Sequence, residues 1–439
     1  MTQSDIVISS SDSERLQSKA ANGIRRLGVS PGARVLFCVE SSANLLFAIG
    51  GALRSGVVPV VVNPQLLISE RTPIVENSES VAIIDSPKKL AELFSGGTDE
   101  ISMFPLTRPM LYTSGTSGTP KGVVSPLLDE ADAKKLWSEE IEQWSFCAED
   151  VHLVCSPLYH SAPIRLSLST LLAGGSIVVP GKFKADEIVK SIKETQPTTT
   201  FCTPTHLQRL VESGHIGELG SLRLVLHAGS KCEDKLKRIV INEIGINKVW
   251  EFYGSTEGQF SVCSSTEWLD RPGPVGKARS NRKILVGQDE VIWSSCPSYA
   301  RWEYWNDKPK TLEAWDGDFF TVGDLGYLDD DGYLYLRGRR DDLVVSGGVN
   351  IYPVEIEFVL QNLSGIEDVV VFGVEDERWG QKLCAAIVGS VSQQQIEVFV
   401  QANLAPFKRP KEYFFVSNIP RTALDKLRRS RMAVDLGIE

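Results

Sequence analysis

Between Arg34 and Tyr253 the chain repeats one pattern: a short apolar, β-branched run, a helix-length stretch, then another run. Arg34 to Val39 (RVLFCV), Val57 to Val62 (VVPVVV) and Val81 to Asp85 (VAIID) open the series. His152 to Ser156, Ser176 to Pro180, Thr198 to Thr203, Leu222 to His227 and Lys248 to Tyr253 continue it, with charged helical stretches such as Ala185 to Thr195 between them. Runs without polar alternation are strands covered on both faces, and strands separated by helices run parallel. The pattern predicts one large layered α/β domain. Ahead of it, Ser11 with Glu14 reads as a capping box, Leu16, Ala20, Ile24 and Leu27 as one helix face, and Gly28 as its stop. Leu45 to Val62, the most apolar stretch, is interrupted by Arg54 and Pro59 and reads as helix, turn and buried strand rather than a membrane span.

From about Arg282 the texture changes. KILVGQDEVIW and GYLDDDGYLYLRG alternate around Gly-Gln and Asp-Gly turns, which predicts a β-rich, antiparallel subdomain. Beyond residue 341 strands are expected near Val369 to Val374 and Leu383 to Val388, and helices near Pro353 to Leu363 and Gln393 to Leu404. That stretch is long enough for a small α+β domain of its own. The expected division is a large domain over 1–340 and a small one over 341–439.

With 46 basic and 56 acidic residues the net charge is -10, so the average field repels nucleic acid and anionic lipid. A polyanionic ligand must be held by a local constellation. The eight cysteines form no CxxC pair and no Cys/His cluster, which argues against structural zinc and against a disulfide framework, and fits a reducing cytoplasm. No secretory signal is visible at the N-terminus, and no membrane span is expected.

The sharpest local signal is LYTSGTSGTPKGVV, Leu111 to Val124. Thr113, Ser114, Thr116, Ser117 and Thr119 alternate there with Gly115, Gly118 and Gly122 around Lys121. Glycines let successive backbone N–H groups turn toward an anion, hydroxyls add donors without bulk, and lysine brings charge. By composition alone the stretch is equally a flexible turn. It is not a Walker loop, because Gly122 follows the lysine where Ser or Thr would be required.

This run resembles the phosphate loop of the adenylate-forming superfamily of acyl- and aryl-CoA ligases, peptide-synthetase adenylation domains and beetle luciferases. Four further segments follow in that superfamily's order: FYGSTEG at Phe252 to Gly258, FTVGDLGYLDDDGYLYLRGRRDD at Phe320 to Asp342, SGGVNIYPVEIE at Ser346 to Glu357, and PRTALDKLR at Pro420 to Arg428. In FYGSTEG an aromatic such as Tyr253 can lie on a purine, Thr256 offers a hydroxyl to phosphate, and Glu257 offers a hard oxygen to Mg²⁺. The resemblance implies these roles, and it implies that Ala228, Gly229 and Ser230 border adenine, that Asp324 accepts the ribose hydroxyls and that Arg339 contacts ribose and phosphate. Asp341 matches the family's hinge, about which the small domain is mobile. Lys426 matches the lysine that meets the substrate carboxylate and α-phosphate, with Asp425 standing where many relatives have glycine.

For the acceptor, Trp379, Phe407, Arg409 and Lys411 look like the CoA contacts of 4-chlorobenzoate-type ligases, and Gly347 and Gly348 resemble the hairpin that lets pantetheine pass. His160 matches a position closing the acyl pocket and is expected to act in catalysis. Trp137, Ser161, Ala162, Ala228, Phe252, Gly254, Gln259 and Phe260 are its expected neighbours. None of these carries positive charge, which suits a mainly apolar aromatic, cyclic or medium-chain acid. The resemblance thus implies an ATP-, Mg²⁺- and CoA-dependent acid–CoA ligase acting on a small-molecule carboxylic acid, with no nucleic-acid partner and a homodimer left open. Loading of a carrier protein or an amine, or nucleotide binding with little turnover, are the alternatives.

Overall fold

The computed structural model describes every residue except 1–5, 67, 114–119, 340–341, 347–348, 377–378, 405, 422–426 and 439. The chain divides into two compact units. One comprises Met1–Ile284, Ser294–Phe320 and Asp330–Leu334; the other comprises Leu285–Trp293, Thr321–Asp329 and Tyr335–Glu439.

In the first unit the β-branched runs become strands, distributed over two parallel arrays. Val58–Val61, Arg34–Phe37 and Ala82–Ile84 form a three-stranded parallel sheet. The larger, eight-stranded sheet has the order Ile8–Ser9, Ser176–Val178, Val151–Leu153, Thr199–Cys202, Leu224–His227, Val249–Gly254, Gln259–Ser264 and Lys277–Ala278. Its five strands from Ser176–Val178 to Val249–Gly254 are parallel, and antiparallel strands flank them on both sides. Helices such as Ala43–Arg54, with ten buried residues, cover the sheets because residues without polar alternation need cover on every side. A third, antiparallel sheet pairs Leu111–Thr113 with Lys121–Val124 and the latter with Glu303–Tyr304.

The first helix spans Ser10–Arg26, but its cap is Ser9, whose Oγ accepts from the Asp12 N–H at 3.1 Å. The expected Ser11/Glu14 box does not form. Glu14 instead accepts from Arg54 Nη2 at 2.8 Å, an ion pair that ties the first two helices together. Gly28, at φ +77°, ends the helix as its lack of Cβ allows.

In the second unit the long hairpin Ile366–Asp376 and Gly380–Gly389 is joined in parallel by Glu412–Phe415. The helix Pro353–Leu360 and the helix Gln393–Asn403, the latter closed by a Ser392/Gln395 capping box, accompany the sheet, and residues such as Ile356, Leu360, Ile396 and Val400 are buried in one cluster with Val371 and Leu383. Arg429 binds Glu357 Oε2 at 2.5 Å and Asp342 Oδ2 at 3.2 Å within this unit. Two segments ahead of residue 341, Leu285–Trp293 and Thr321–Asp329, belong to the same unit, and the Gly326 N–H donates to Glu290 O at 2.9 Å. The architecture is mixed α/β with a large N-terminal and a small C-terminal domain. No helix among the described residues is long and apolar enough to cross a membrane.

Candidate active site

The glycine- and hydroxyl-rich loop is carried by a hairpin. Thr113 pairs with Lys121 across its two strands, and Gly122 pairs with Tyr112. A Cβ on Gly122 would stand 2.2 Å from Met110 Cε and 3.2 Å from Tyr112 Cζ, so a larger residue there would push the methionine side chain aside. Ser114, Gly115, Thr116, Ser117, Gly118 and Thr119 lie outside the described residues, as do Asp341, Gly347, Gly348 and Lys426; so do the side chains of Arg339 and Phe407.

FYGSTEG folds at the end of the parallel strand Val249–Gly254, where it turns back into Gln259–Ser264. Open α/β sheets bind ligands at the carboxyl ends of their strands. The turn is tight: the Ser255 N–H donates to Gly258 O at 2.8 Å, and the Glu257 N–H to Ser255 Oγ at 3.2 Å. A Cβ on Gly254 would lie 2.7 Å from Gly258 O and 2.9 Å from Gln259 Cα, both backbone atoms. Tyr253 lies with its ring 4.8 Å from Phe260. Thr256 is half-buried, and its carbonyl accepts from Arg108 Nη2 at 3.5 Å. Burial pulls the Arg108 guanidinium down to about 10, against the nearby Cys296 and Glu257, which raise it. In the neighbouring strand Leu224–His227 the chain exits through Ala228 and Gly229, the latter at φ +101°, which exposes Ser230.

The structure brings the two motifs together through a residue that sequence reasoning missed. Tyr304 Oη donates to Glu257 Oε1 at 2.8 Å, and the Lys121 ammonium sits 5.2 Å above the centre of the same ring. Glu257 is 5% exposed, so its carboxylate is aimed inward rather than solvated. The only signal in the sequence was the aromatic cluster Trp302, Tyr304 and Trp305, which no motif had singled out.

Of the expected acyl-pocket residues, Ala228 and Phe252 share one buried cluster with Trp144, Leu166 and Phe201, and Ala162 packs against it. Trp137 packs in a different cluster, with Leu158 and Ile164. His160 caps the helix Ser161–Leu172 by position, without a side-chain cap bond, and its ring lies 4.8 Å from Tyr159. Gln259 pairs with Gly254, and its Oε1 accepts from Arg279 Nη1. Charge enters here from residues the sequence reading did not place. Glu140 binds Arg165 Nη1 at 2.7 Å, Arg279 Nη1 at 3.0 Å and Trp144 Nε1 at 2.7 Å, and Arg165 stands 5.5 Å over the Phe252 ring. Burial pushes the Glu140 carboxyl up, but the two guanidiniums and these hydrogen bonds outweigh it and hold the group at about 2.

In the second unit Asp324 opens the strand Asp324–Leu328 and is buried. Lys411 Nζ lies 5.4 Å over the Trp379 ring, bringing those two expected CoA contacts together. Arg409 Nε donates to Leu404 O at 2.9 Å and Nη2 to Gln401 O at 3.1 Å, at the end of the helix Gln393–Asn403.

No group of three or more Asp, Glu, His or Cys able to cage a metal occurs among the described residues. A single buried carboxylate such as Glu257 suits Mg²⁺, which is bound by one or two carboxylates together with substrate phosphates. Lys121, at the end of the glycine- and hydroxyl-rich segment, is thus linked through Tyr304 to the buried carboxylate of Glu257. Residues 5–102 and 109–291 match the AMP-binding enzyme family, and residues 355–426 match the AMP-binding enzyme C-terminal domain. The chain belongs to the AMP-binding enzyme family. It is 29% identical over 442 residues to a 2-succinylbenzoate–CoA ligase of Bacillus cereus, covering 93% of this chain and 90% of the relative. Among solved structures it resembles o-succinylbenzoate CoA synthetase (MenE) from Bacillus subtilis in complex with the acyl-adenylate intermediate OSB-AMP, with a TM-score of 0.84, 25% identity and coverage of 96% and 92% of the two chains. An ATP-bound RpMatB-BxBclM chimera gives a TM-score of 0.83 at 26% identity, covering 98% and 94%.

Proposed function

We propose that the chain is an ATP-dependent acid–CoA ligase with a mainly apolar, aromatic type of acid as substrate. The observation that carries the reading is the Lys121–Tyr304–Glu257 connection, which joins a phosphate-loop lysine to a metal-competent carboxylate. The likeness over most of the chain to a 2-succinylbenzoate–CoA ligase supports an aromatic acid and CoA as the thiol acceptor.

The chemistry proceeds in two balanced steps. A carboxylate oxygen attacks the α-phosphorus of ATP, the bond to the β-phosphate oxygen breaks, and acyl-AMP and pyrophosphate form. The CoA sulfur then attacks the acyl carbonyl carbon, AMP leaves with the electron pair of the C–O bond, and the thiol proton is lost to solvent. Mg²⁺, when bound at Glu257 with the phosphates, offsets the triphosphate charge. Lys121 and the loop Thr113 to Thr119 hold the phosphates, Thr256 donates a hydroxyl to them, and Tyr253 lies on adenine beside Ala228, Gly229 and Ser230. Asp324 and Arg339 hold the ribose. Lys426 stabilises the charge that builds on the attacked phosphate. The small domain, 341–439, turns about Asp341 between the steps, since two different groups must reach the same carbonyl. Trp379, Phe407, Arg409 and Lys411 then grip CoA, with Gly347 and Gly348 lining the thiol's approach. His160, Ala228, Phe252, Gly254 and Gln259 border the acid. All eight cysteines are free, which supports a reducing, cytoplasmic setting.

The test is acid-dependent exchange of labelled pyrophosphate into ATP. Lys426→Ala abolishes the exchange and spares thioester formation from supplied acyl-AMP; equal loss of both steps in a folded variant removes the lysine from the first step.

A further inference from the structure

Tyr304 is in contact with both charged groups on which the nucleotide reading rests. Its hydroxyl donates to Glu257 Oε1 at 2.8 Å, and its ring face receives the Lys121 ammonium at 5.2 Å. The ring is set from several sides. Its strand pairs with the strand leaving the phosphate loop, Tyr304 opposite Val123, and the next residue's N–H donates to Gly122 O at 2.8 Å. The Tyr304 N–H donates to Thr311 Oγ1 at 2.9 Å, and Trp302 stands edge-on at 4.9 Å. A carboxylate has two oxygens, and no other described side chain donates a hydrogen bond to Glu257. With one oxygen held by a phenol, rotation about the carboxylate's last torsion breaks that hydrogen bond, which favours one direction for the second oxygen. The aromatic face meanwhile attracts the ammonium without neutralising it, so its charge stays available to phosphate.

We propose that Tyr304 is a positioning residue that sets Glu257 and Lys121 relative to each other, fixing one carboxylate oxygen so that the other meets the Mg²⁺ of bound ATP. The proposal rests on the nucleotide part of the function given above and on no property of the acid. Partners that orient a metal ligand typically change metal affinity by about 10–100-fold when removed. The two ends of the tyrosine separate by substitution. Tyr304→Phe keeps the ring under Lys121 and removes the hydroxyl from Glu257; Tyr304→Leu removes both.

The experiment is titration calorimetry of ATP into the full chain at a series of Mg²⁺ concentrations, with no acid present, and with thermal melting as a check on folding. Tyr304→Phe is expected to raise the Mg²⁺ concentration for half-maximal tightening of ATP about tenfold, while binding of ATP in EDTA stays within about twofold of wild type because Lys121 keeps its ring. Tyr304→Leu weakens both. In a Glu257→Gln background, Tyr304→Phe produces no further change in Mg²⁺ dependence. A wild-type Mg²⁺ profile in folded Tyr304→Phe, or an undiminished effect of that substitution in the Glu257→Gln background, overturns the proposal. Because the readout is binding without turnover, a chain that shows this Mg²⁺ dependence yet releases no AMP with any acid keeps the tyrosine's role and loses the ligase function instead.

Discussion

Glu140 is the buried anion on which the charge balance beside Phe252 depends, and replacing it with glutamine tests that balance quantitatively. Its carboxylate binds Arg165 at 2.7 Å and Arg279 at 3.0 Å, and accepts from Trp144 at 2.7 Å. Burial alone raises a carboxyl's pKa; here two cations and their hydrogen bonds bring it from 4.5 to about 2. A carboxyl that ionises more readily in the fold than in the unfolded chain adds stability above its unfolded value, and that stability disappears as pH falls through the folded value. The full contribution at pH 7 is about 3 kcal/mol, and less than half of it is left at pH 3. Glutamine mimics the protonated acid. Glu140→Gln therefore destabilises the large domain by about 3 kcal/mol at pH 7, near the lower end of what breaking a buried ion pair costs. Urea unfolding followed by circular dichroism at pH 7, 4 and 3 measures the difference, which must shrink on acidification. A loss under about 1 kcal/mol at pH 7, or one that stays constant down to pH 3, shows that the Glu140 charge does not stabilise the fold in this way.

Lys237, 2% exposed, binds Glu251 Oε2 at 2.6 Å and lies 4.7 Å over the Trp268 ring. Lys237→Met strands Glu251 and costs about 3–5 kcal/mol in urea unfolding, while the double change Lys237→Met with Glu251→Leu recovers most of it. Burial pushes His152 down to about 4, with Asp150 opposing, so the folded imidazole stays neutral while the unfolded chain takes up a proton below its usual 6.5. Stability therefore falls as pH drops from about 6.5 toward 4, by about 3 kcal/mol for this histidine, and His152→Asn flattens unfolding midpoints over that window. Gly254→Ala forces a methyl against Gly258 O and Gln259 Cα. It lowers ATP–pyrophosphate exchange at least about tenfold by shifting the turn that carries Thr256 and Glu257, with melting shifted by only a few degrees.

The strands were readable because burial on both faces leaves an uninterrupted apolar run, and every run from Arg34 to Tyr253 is a strand here within a few residues of its expected ends. What a run does not record is its partner. Nothing in VVPVVV or RVLFCV says that they leave the large sheet to form a small one with VAIID. Ser9 won the helix cap from Ser11 because capping is decided by where the chain turns out of the strand Ile8–Ser9, a tertiary matter. The site was legible where a motif is local: Lys121 beside its glycines, Glu257 in its tight turn. Tyr304, Arg108, Arg165, Glu140 and Arg279 come from separate stretches of sequence and carry no local pattern. They meet only through contacts across the fold, such as Tyr304 with Glu257 and Glu140 with Arg279.

Isotope transfer shows whether the carboxylate is joined first to AMP and then to CoA. With a carboxylic acid labelled by ¹⁸O in both oxygens, turnover with ATP, Mg²⁺ and CoA must yield AMP carrying one ¹⁸O in its phosphate and a thioester retaining the other, by mass spectrometry. Acyl-CoA formed alongside unlabelled AMP, or alongside ADP and phosphate, contradicts that route.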